Sequence, residues 1–475
     1  MLITALMYLH QNLYHSALKT IPNLSYEALM IYNLRYANSP RFACHKTFMY
    51  LIYDVLQIRR SSVGNTLLIK RSNWRSMAHD IDTLTTTQLQ DAAKRLAAGE
   101  HVNDHTIRQL LQNITTIAMQ VPGSFAQKLQ LRSEIRGLIV REGMAAIWLT
   151  INPSDLQNPL VLILAGVEYS STTLPAAAAA IHQATATSNP VAVAQFFHYT
   201  CKAIFDELFA TRSGGSGILG DVSNYFGVVE TNGRGMLHLH ALIWLRGNLN
   251  FATLRERLLN DPDFATHMIH YLETIIVQSI SNVSLDDSDV NLPTMVNLPS
   301  MPNSENNADS DTEFYERLLQ DGNSVACTKQ MHSKHHSATC FKYRQTGSGK
   351  NACRFGMPRD LVPESKIDEL GIIHLARNHA WVNPWNPAIA SCIRSNHDIS
   401  WIPTVSKSLA LLYYITNYAT KDDISPWQIV AKAALLKQSI DQAKATISPI
   451  LADIRLCKRG MDKFALCCFN ALAHD

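Results

Sequence analysis

Apolar and polar positions change period several times along this chain, and each change marks an element. From Leu237 to Leu245 the order Leu-His-Leu-His-Ala-Leu-Ile-Trp-Leu opens as strict alternation, the period-two signature of a strand. Upstream, Phe226–Glu230 is apolar and rich in valine, and Thr231-Asn232-Gly233-Arg234-Gly235 supplies an Asn-Gly turn. Together they predict a β-hairpin. Residues 145–153, AAIWLTINP, predict a further short strand that Pro153 stops. Helical spacing of apolar residues covers Leu89–Ala98 and Asp104–Met119, with Asp104 placed as an N-cap. Asn189-Pro190 opens another helix, expected to run to about Ala210, with Phe196, Phe197, Ile204, Phe205 and Leu208 on a wide apolar face. Residues 407–421, KSLALLYYITNYATK, read as a helix too. The central order of strand, helix, strand, strand predicts an α+β fold, an antiparallel sheet flanked by helices.

Composition refines this picture. A chain of 475 residues that is 47% hydrophobic can bury several cores. The coarse division is a mainly helical region 1–140, a sheet-bearing core 141–280, an acidic insertion 281–312, a basic Cys/His module 313–365, and a helical part 366–475. The formal charge of +3 hides an asymmetry. Asp286, Asp287, Asp289, Glu305, Asp309, Asp311 and Glu313 cluster where there is no Lys or Arg, so the insertion reads as disordered. Without these seven acids, 42 basic residues face 32 acidic ones, a balance compatible with a polyanionic partner. Nine cysteines and no signal peptide favour free thiols over disulfides. No apolar run approaches the roughly 20 residues of a membrane helix, so no membrane partner is expected.

Three groups of residues carry candidate chemistry. Alternation puts His238 and His240 on one face of their strand, and Glu230 can meet them across the hairpin. Two imidazoles and a carboxylate make a three-ligand metal site with open positions; the plainer reading is polar residues satisfied within a core. Residues 324–359 hold Cys327, His332, His335, His336, Cys340 and Cys353 among seven Lys/Arg and no acid. Cys327, His336, Cys340 and Cys353 are the expected ligands of a tetrahedral zinc site, against a background reading of buried thiols and surface histidines. Nearby basic and aromatic residues, among them Lys334, Lys342, Arg344, Phe341 and Tyr343, suit a nucleic-acid surface. Tyr414 and Tyr418, at i and i+4, share one helix face, with Lys421 on that side; tyrosines so spaced are more often packing residues. Thr346-Gly347-Ser348-Gly349-Lys350 imitates a phosphate loop, but it lacks the first glycine, continues into Asn351 and follows no strand, so it is rejected as a nucleotide site.

Taken in order, these segments resemble the HUH endonucleases, the replication-initiator (Rep) nucleases of rolling-circle elements. Trp148-Leu149-Thr150-Ile151-Asn152-Pro153 resembles their FLTxxP strand, His238-Leu239-His240 their HUH strand, and Tyr418-Ala419-Thr420-Lys421 their YxxK helix. A closer resemblance, over roughly residues 30–470, is to the Helitron helicase-like N-terminal domain of eukaryotic rolling-circle transposases. It rests on Val229-Glu230, Arg234-Gly235, Leu237–His240 and Ile243-Trp244-Leu245, then on Cys340-Phe341-Lys342 with Cys353-Arg354-Phe355, on Asn396-His397-Asp398-Ile399, and on the two-tyrosine helix. The resemblance implies an HUH nuclease that nicks and rejoins single-stranded DNA at transposon ends in the nucleus. Tyr414 and Tyr418 would be the nucleophiles, Lys421 would orient phosphate, and Mg²⁺ or Mn²⁺ would sit on His238, His240 and Glu230. Helitron transposases continue into a helicase, which residues 1–475 do not hold, so a truncated copy or one served by a separately encoded helicase is expected. Two alternatives remain beside it: an inactive remnant that only binds DNA, and a metallophosphodiesterase that uses water.

Overall fold

A computed structural model describes residues 25–446 apart from 36–40, 46, 69–78, 120, 123, 168–174, 232–234, 282, 284–310, 342–352 and 420–424. The Asn232-Gly233 turn, nearly all of the acidic insertion, the phosphate-loop imitation and Lys421 therefore lie outside the described residues. The fold is mixed helix and antiparallel sheet, and it divides into two compact units. One comprises Met1–Arg136 with Thr416–Asp475, the other Gly137–Ile415. None of the described helices is long and apolar enough to cross a membrane.

The first unit is helical among its described residues. Asp104 caps the helix His105–Ala118, its Oδ1 accepting the backbone N–H groups of Thr106 and Ile107. Thr85 caps Thr86–Ala97 through a reciprocal bond with Gln88. The buried faces of these helices, with Leu89, Ile107, Leu110 and Ile114, pack on Ile429, Val430, Ala433 and Ala434 of the helix Pro426–Thr446. Residues 366–475 thus contribute to both units rather than standing as one region.

The second unit carries the strands: β1 (Ile147–Ile151), β2 (Val222–Thr231), β3 (Leu237–Leu245), β4 (Lys366–Ile367), β5 (Ile373–His374) and β6 (His397–Trp401). β4 and β5 form a small ribbon, and the main sheet has the antiparallel order β2-β3-β1-β6. β1 is central because both its faces and both its edges are used. Its residues Ile147, Leu149 and Ile151 point with Leu239, Ala241, Ile243, Ile399 and Trp401 into one apolar core. Phe197, Ile204 and Phe205 cover that core from the helix opened by Asn189 and Pro190. The α-helix ends at Ala203 and continues as a π-helical turn, Ile204–Leu208. At Gly227 of β2 an added Cβ would lie 2.9 Å from Leu239 Cδ1, so the leucine tip would have to shift to admit it.

At the start of β6 a buried polar network joins the sheet to the surrounding helices. His397 Nε2 accepts the Asn386 N–H at 2.9 Å, so Nδ1 carries the proton and donates to the Gln330 amide oxygen at 2.7 Å. Asn396 accepts from Asn152 Nδ2 at 2.9 Å and donates to the Lys329 carbonyl at 3.0 Å. Both His397 nitrogens are committed to the neutral ring, and burial pushes its pKa down to about 3. The unfolded chain therefore takes up a proton near the usual histidine range that the folded chain refuses. Stability is complete above that range and falls on acidification. Urea melts are expected to lose about 2 kcal/mol from this residue between about pH 7.5 and pH 5.

Candidate metal and nucleophile site

The other face of the main sheet carries the polar residues. In the antiparallel ladder Glu230 stands opposite His238, Val228 opposite His240, Thr150 opposite His240, and Asp398 opposite Thr150. Directly paired residues share a face. Glu230, His238, His240, Thr150 and Asp398 therefore come from four neighbouring strands and project from the same side.

His238 Nε2 lies 2.5 Å and His240 Nε2 2.9 Å from the same Glu230 Oε1. The three donor atoms all fall within 4.8 Å of one another, and all three side chains are largely buried. Two imidazole nitrogens crowding one carboxylate oxygen repel it unless protons or a cation lie between them. Burial first of all pushes the His240 pKa down, against the pull of Glu230, and so favours its neutral ring. Thr150 Oγ1, 3.0 Å from His240 Nδ1, completes the case. The tautomer that donates Nδ1–H to Thr150 turns the Nε2 lone pair toward Glu230, as outer partners of metal-bound histidines do. The donor set thus fits a metal ion.

Tyr414 stands at this site. Its hydroxyl is 3.5 Å from His240 Nε2, and its ring meets His240 and Trp148 edge-on, at centroid distances of 5.4 and 5.7 Å. Trp148 stacks on the His240 ring at 5.3 Å and fixes its plane. Tyr414 lies on the helix Val405–Ala419 and is half exposed, whereas Tyr413 points to solvent. Tyr418 belongs to the same helix, but its side chain, like Lys421, lies outside the described residues.

A second donor cluster comprises His332, His336, Cys340 and Cys353, again with ligand atoms within 4.8 Å of one another. His332 Nε2 is 3.5 Å from Cys340 Sγ and 3.7 Å from Cys353 Sγ. Tetrahedral bonds of about 2.3 Å to sulfur and 2.0 Å to nitrogen put such donors about 3.6 Å apart. His332 Nδ1–H donates to the Ser333 carbonyl at 2.8 Å, leaving Nε2 as the lone pair that faces the sulfurs. His336 Nδ1 is buried with no hydrogen-bond partner. The described residues fit a closed four-ligand site.

Cys327, expected among these ligands, is elsewhere. It sits on the helix Asp311–Lys329, packed beside Val325, Ala326 and Trp385, with Asn323 as its polar neighbour. Burial pushes its thiol pKa up. His332 takes its place: it lies beyond the helix end at Lys329, with its Nε2 beside the Cys340 sulfur. The spacing His332-x3-His336-x3-Cys340 was the signal available for it. All six described cysteines are free thiols.

Residues 26–243 match the family model for the Helitron helicase-like domain at N-terminus. This span of the chain is a Helitron helicase-like N-terminal domain, and it supports a Helitron-related transposase module. The match takes in β1, β2 and most of β3, with Thr150, Glu230, His238 and His240, and stops before the Cys/His cluster and the tyrosine helix. No curated protein matches the chain.

Proposed function

We propose that the protein is an HUH-type endonuclease and strand transferase that nicks and rejoins single-stranded DNA at transposon ends. The observation that carries this reading is the Tyr414 hydroxyl beside His240, on a sheet face where His238, His240 and Glu230 converge. A bound Mg²⁺ or Mn²⁺ would polarise the scissile phosphodiester and favour the phenolate over a phenol whose ordinary pKa is about 10. The protein groups do the rest. Trp148 and Thr150 hold His240 in plane and tautomer, and the helix holds Tyr414 for in-line attack. The phenolic oxygen bonds to phosphorus, the P–O3′ bond breaks, the phenol proton leaves to solvent, and the 3′-oxygen takes one up. The resulting 5′-phosphotyrosine keeps the ester's energy for rejoining without ATP.

Tyr418, one turn on, supplies a second phenol, so one strand end can be held while another is cut. Lys421 in this reading orients phosphate. The His332, His336, Cys340 and Cys353 cluster would hold a structural Zn²⁺ and present basic and aromatic side chains to the strand, while a separately encoded helicase would open the duplex and the substrate implies a nuclear site. The test uses end-labelled single-stranded oligonucleotides on a denaturing gel. A Mn²⁺-dependent, denaturant-resistant shift of the 5′-phosphate fragment is expected. Cleavage with no shift at any time point would assign the nucleophile to water, and binding without cleavage in either metal would leave only DNA binding.

A further inference from the structure

One ring beside the Cys/His cluster has no task within it. The Gly356 N–H donates to the Cys353 carbonyl at 2.9 Å, so Cys353–Gly356 is a tight turn with Arg354 and Phe355 at its two central positions. Turn centres usually carry Gly, Asn, Asp or Pro; these carry a guanidinium and a phenyl ring. The residues on either side are buried, Cys353 at 6% and Met357 at 4% exposure. Phe355 is 44% exposed, and it is the one exposed phenylalanine among the described residues. Packing in a core does not account for it.

The ring is nonetheless held in place. The Arg354 N–H donates to the Cys340 carbonyl at 2.9 Å, which pins the turn to the segment of the other thiol. The His332 ring meets Phe355 at a centroid distance of 5.7 Å, and the Arg354 guanidinium carbon lies 4.5 Å from the phenyl centroid. A ring so fixed has little rotamer freedom left to lose when a ligand stacks on it. The cluster is also tethered to the main sheet. Asn396 accepts from Asn152 and donates to the Lys329 carbonyl, three residues before His332. Asn152 follows β1 and Asn396 precedes β6, so the tether is at the end of the sheet that carries His238.

Charge selects the occupant. Residues 324–359 hold seven Lys/Arg and no Asp or Glu. Such a surface repels a basic partner and favours an anionic one. An acidic peptide would answer the charge and leave the ring unused, whereas a nucleotide answers both, its base on the ring and its phosphate on a cation. In a duplex each base is already stacked on its neighbours, so an unpaired base is the one that can use the ring.

Resting on the nuclease reading above, we infer that Phe355, with Arg354 beside it, is the stacking site for one unpaired base of the single strand, and that Arg354 holds a neighbouring phosphodiester. A guanidinium can stack by its plane and still donate to phosphate from its edge. Every base has a π-face, so the site tells single strand from duplex and does not tell one base from another.

The test measures binding of short labelled single strands to the full chain by fluorescence anisotropy, without Mg²⁺ or Mn²⁺. Phe355→Ala should weaken binding roughly 5- to 150-fold, the span of one base–aromatic stack, with zinc content and melting temperature unchanged. Phe355→Leu, which keeps an apolar side chain against His332, should lose nearly as much and serves if the alanine variant does not fold. Phe355→Trp should bind at least as well as the native protein, and its added indole fluorescence should be quenched by the strand. A duplex of the same sequence should bind native and Phe355→Leu proteins alike. Strands with one abasic residue at successive positions locate the stacked base: one position should weaken native binding and have no effect in Phe355→Leu. A folded Phe355→Leu protein with native affinity and the native abasic profile would overturn the site, as would Phe355→Trp with no added quenching at saturation. Failure of the native protein to bind any single strand would instead remove the nuclease reading on which the inference rests.

Discussion

Replacing both Tyr414 and Tyr418 with phenylalanine is expected to abolish every denaturant-resistant protein–DNA adduct while leaving the fold intact. Only the hydroxyl is deleted at each position. The Tyr414 ring can keep its edge-on contacts with Trp148 and His240, and the lost hydroxyl contact with His240 was long at 3.5 Å. At Tyr414 a stability change below about 1 kcal/mol follows. The chemical loss is complete, because no other nucleophile of the proposed mechanism remains. Of the single variants, Tyr414→Phe should lose the larger share of adduct, since its hydroxyl is the one that meets His240. The measurement is the same denaturing gel, with a thermal melt as control. A folded double variant that still yields a covalent adduct would refute the assignment of both tyrosines.

The second large effect concerns the Cys/His cluster. The double substitution Cys340→Ser with Cys353→Ser should remove bound zinc and lower stability steeply, because the cluster has little apolar core of its own. Cys340, Cys353 and Met357 are its buried members, with Phe341 and Trp381 alongside. A metal held a thousandfold above its dissociation constant contributes about 4 kcal/mol, and that amount should vanish in the variant. A chelator should reproduce the loss in the native protein and not in the variant. Cys327→Ser is the discriminating control. It should keep the full zinc content by elemental analysis, since Cys327 lies in another cluster. Zinc lost on Cys327→Ser and kept on His332→Ala would reverse the ligand assignment.

How far these features could be read from the chain depends on the range of the interaction that makes them. The hairpin and its triad were legible because Glu230, His238 and His240 lie within eleven residues and follow one alternation. The caps Asp104 and Asn189 were legible because a cap is a contact across two or three residues. The strand at 147–151 could be recognised, but not that Thr150 anchors His240 or that Trp148 stacks on it, since both depend on a pairing across ninety residues. His332 was missed because three histidines occur within five positions and spacing alone cannot rank them. The fold brings His332 and His336 to the sulfurs and leaves His335 out of the cluster. The pairing of the helix Pro426–Thr446 with Thr86–Ala97 has no local signal at all. Asn396-His397-Asp398 was visible as a motif without a task, and the structure divides it: Asn396 and His397 hold β6 in place, while Asp398 faces the site.

The strand order β2-β3-β1-β6 also has a consequence for the growing chain. β1 leaves the ribosome before either of its neighbours, β3, about ninety residues later, and β6, which ends at Trp401. Until then a β1–β3 pair has one open edge, and the network that closes it, through Asn152, Asn396 and His397, is missing. At synthesis rates of about 5–20 residues per second, the wait between Thr150 and Asp398 is roughly 10–50 s. The helix that brings Tyr414 follows only after β6. A nascent chain therefore exposes a sticky strand edge well before it can assemble a phenol beside the histidines, and its need for chaperone cover should peak in that interval.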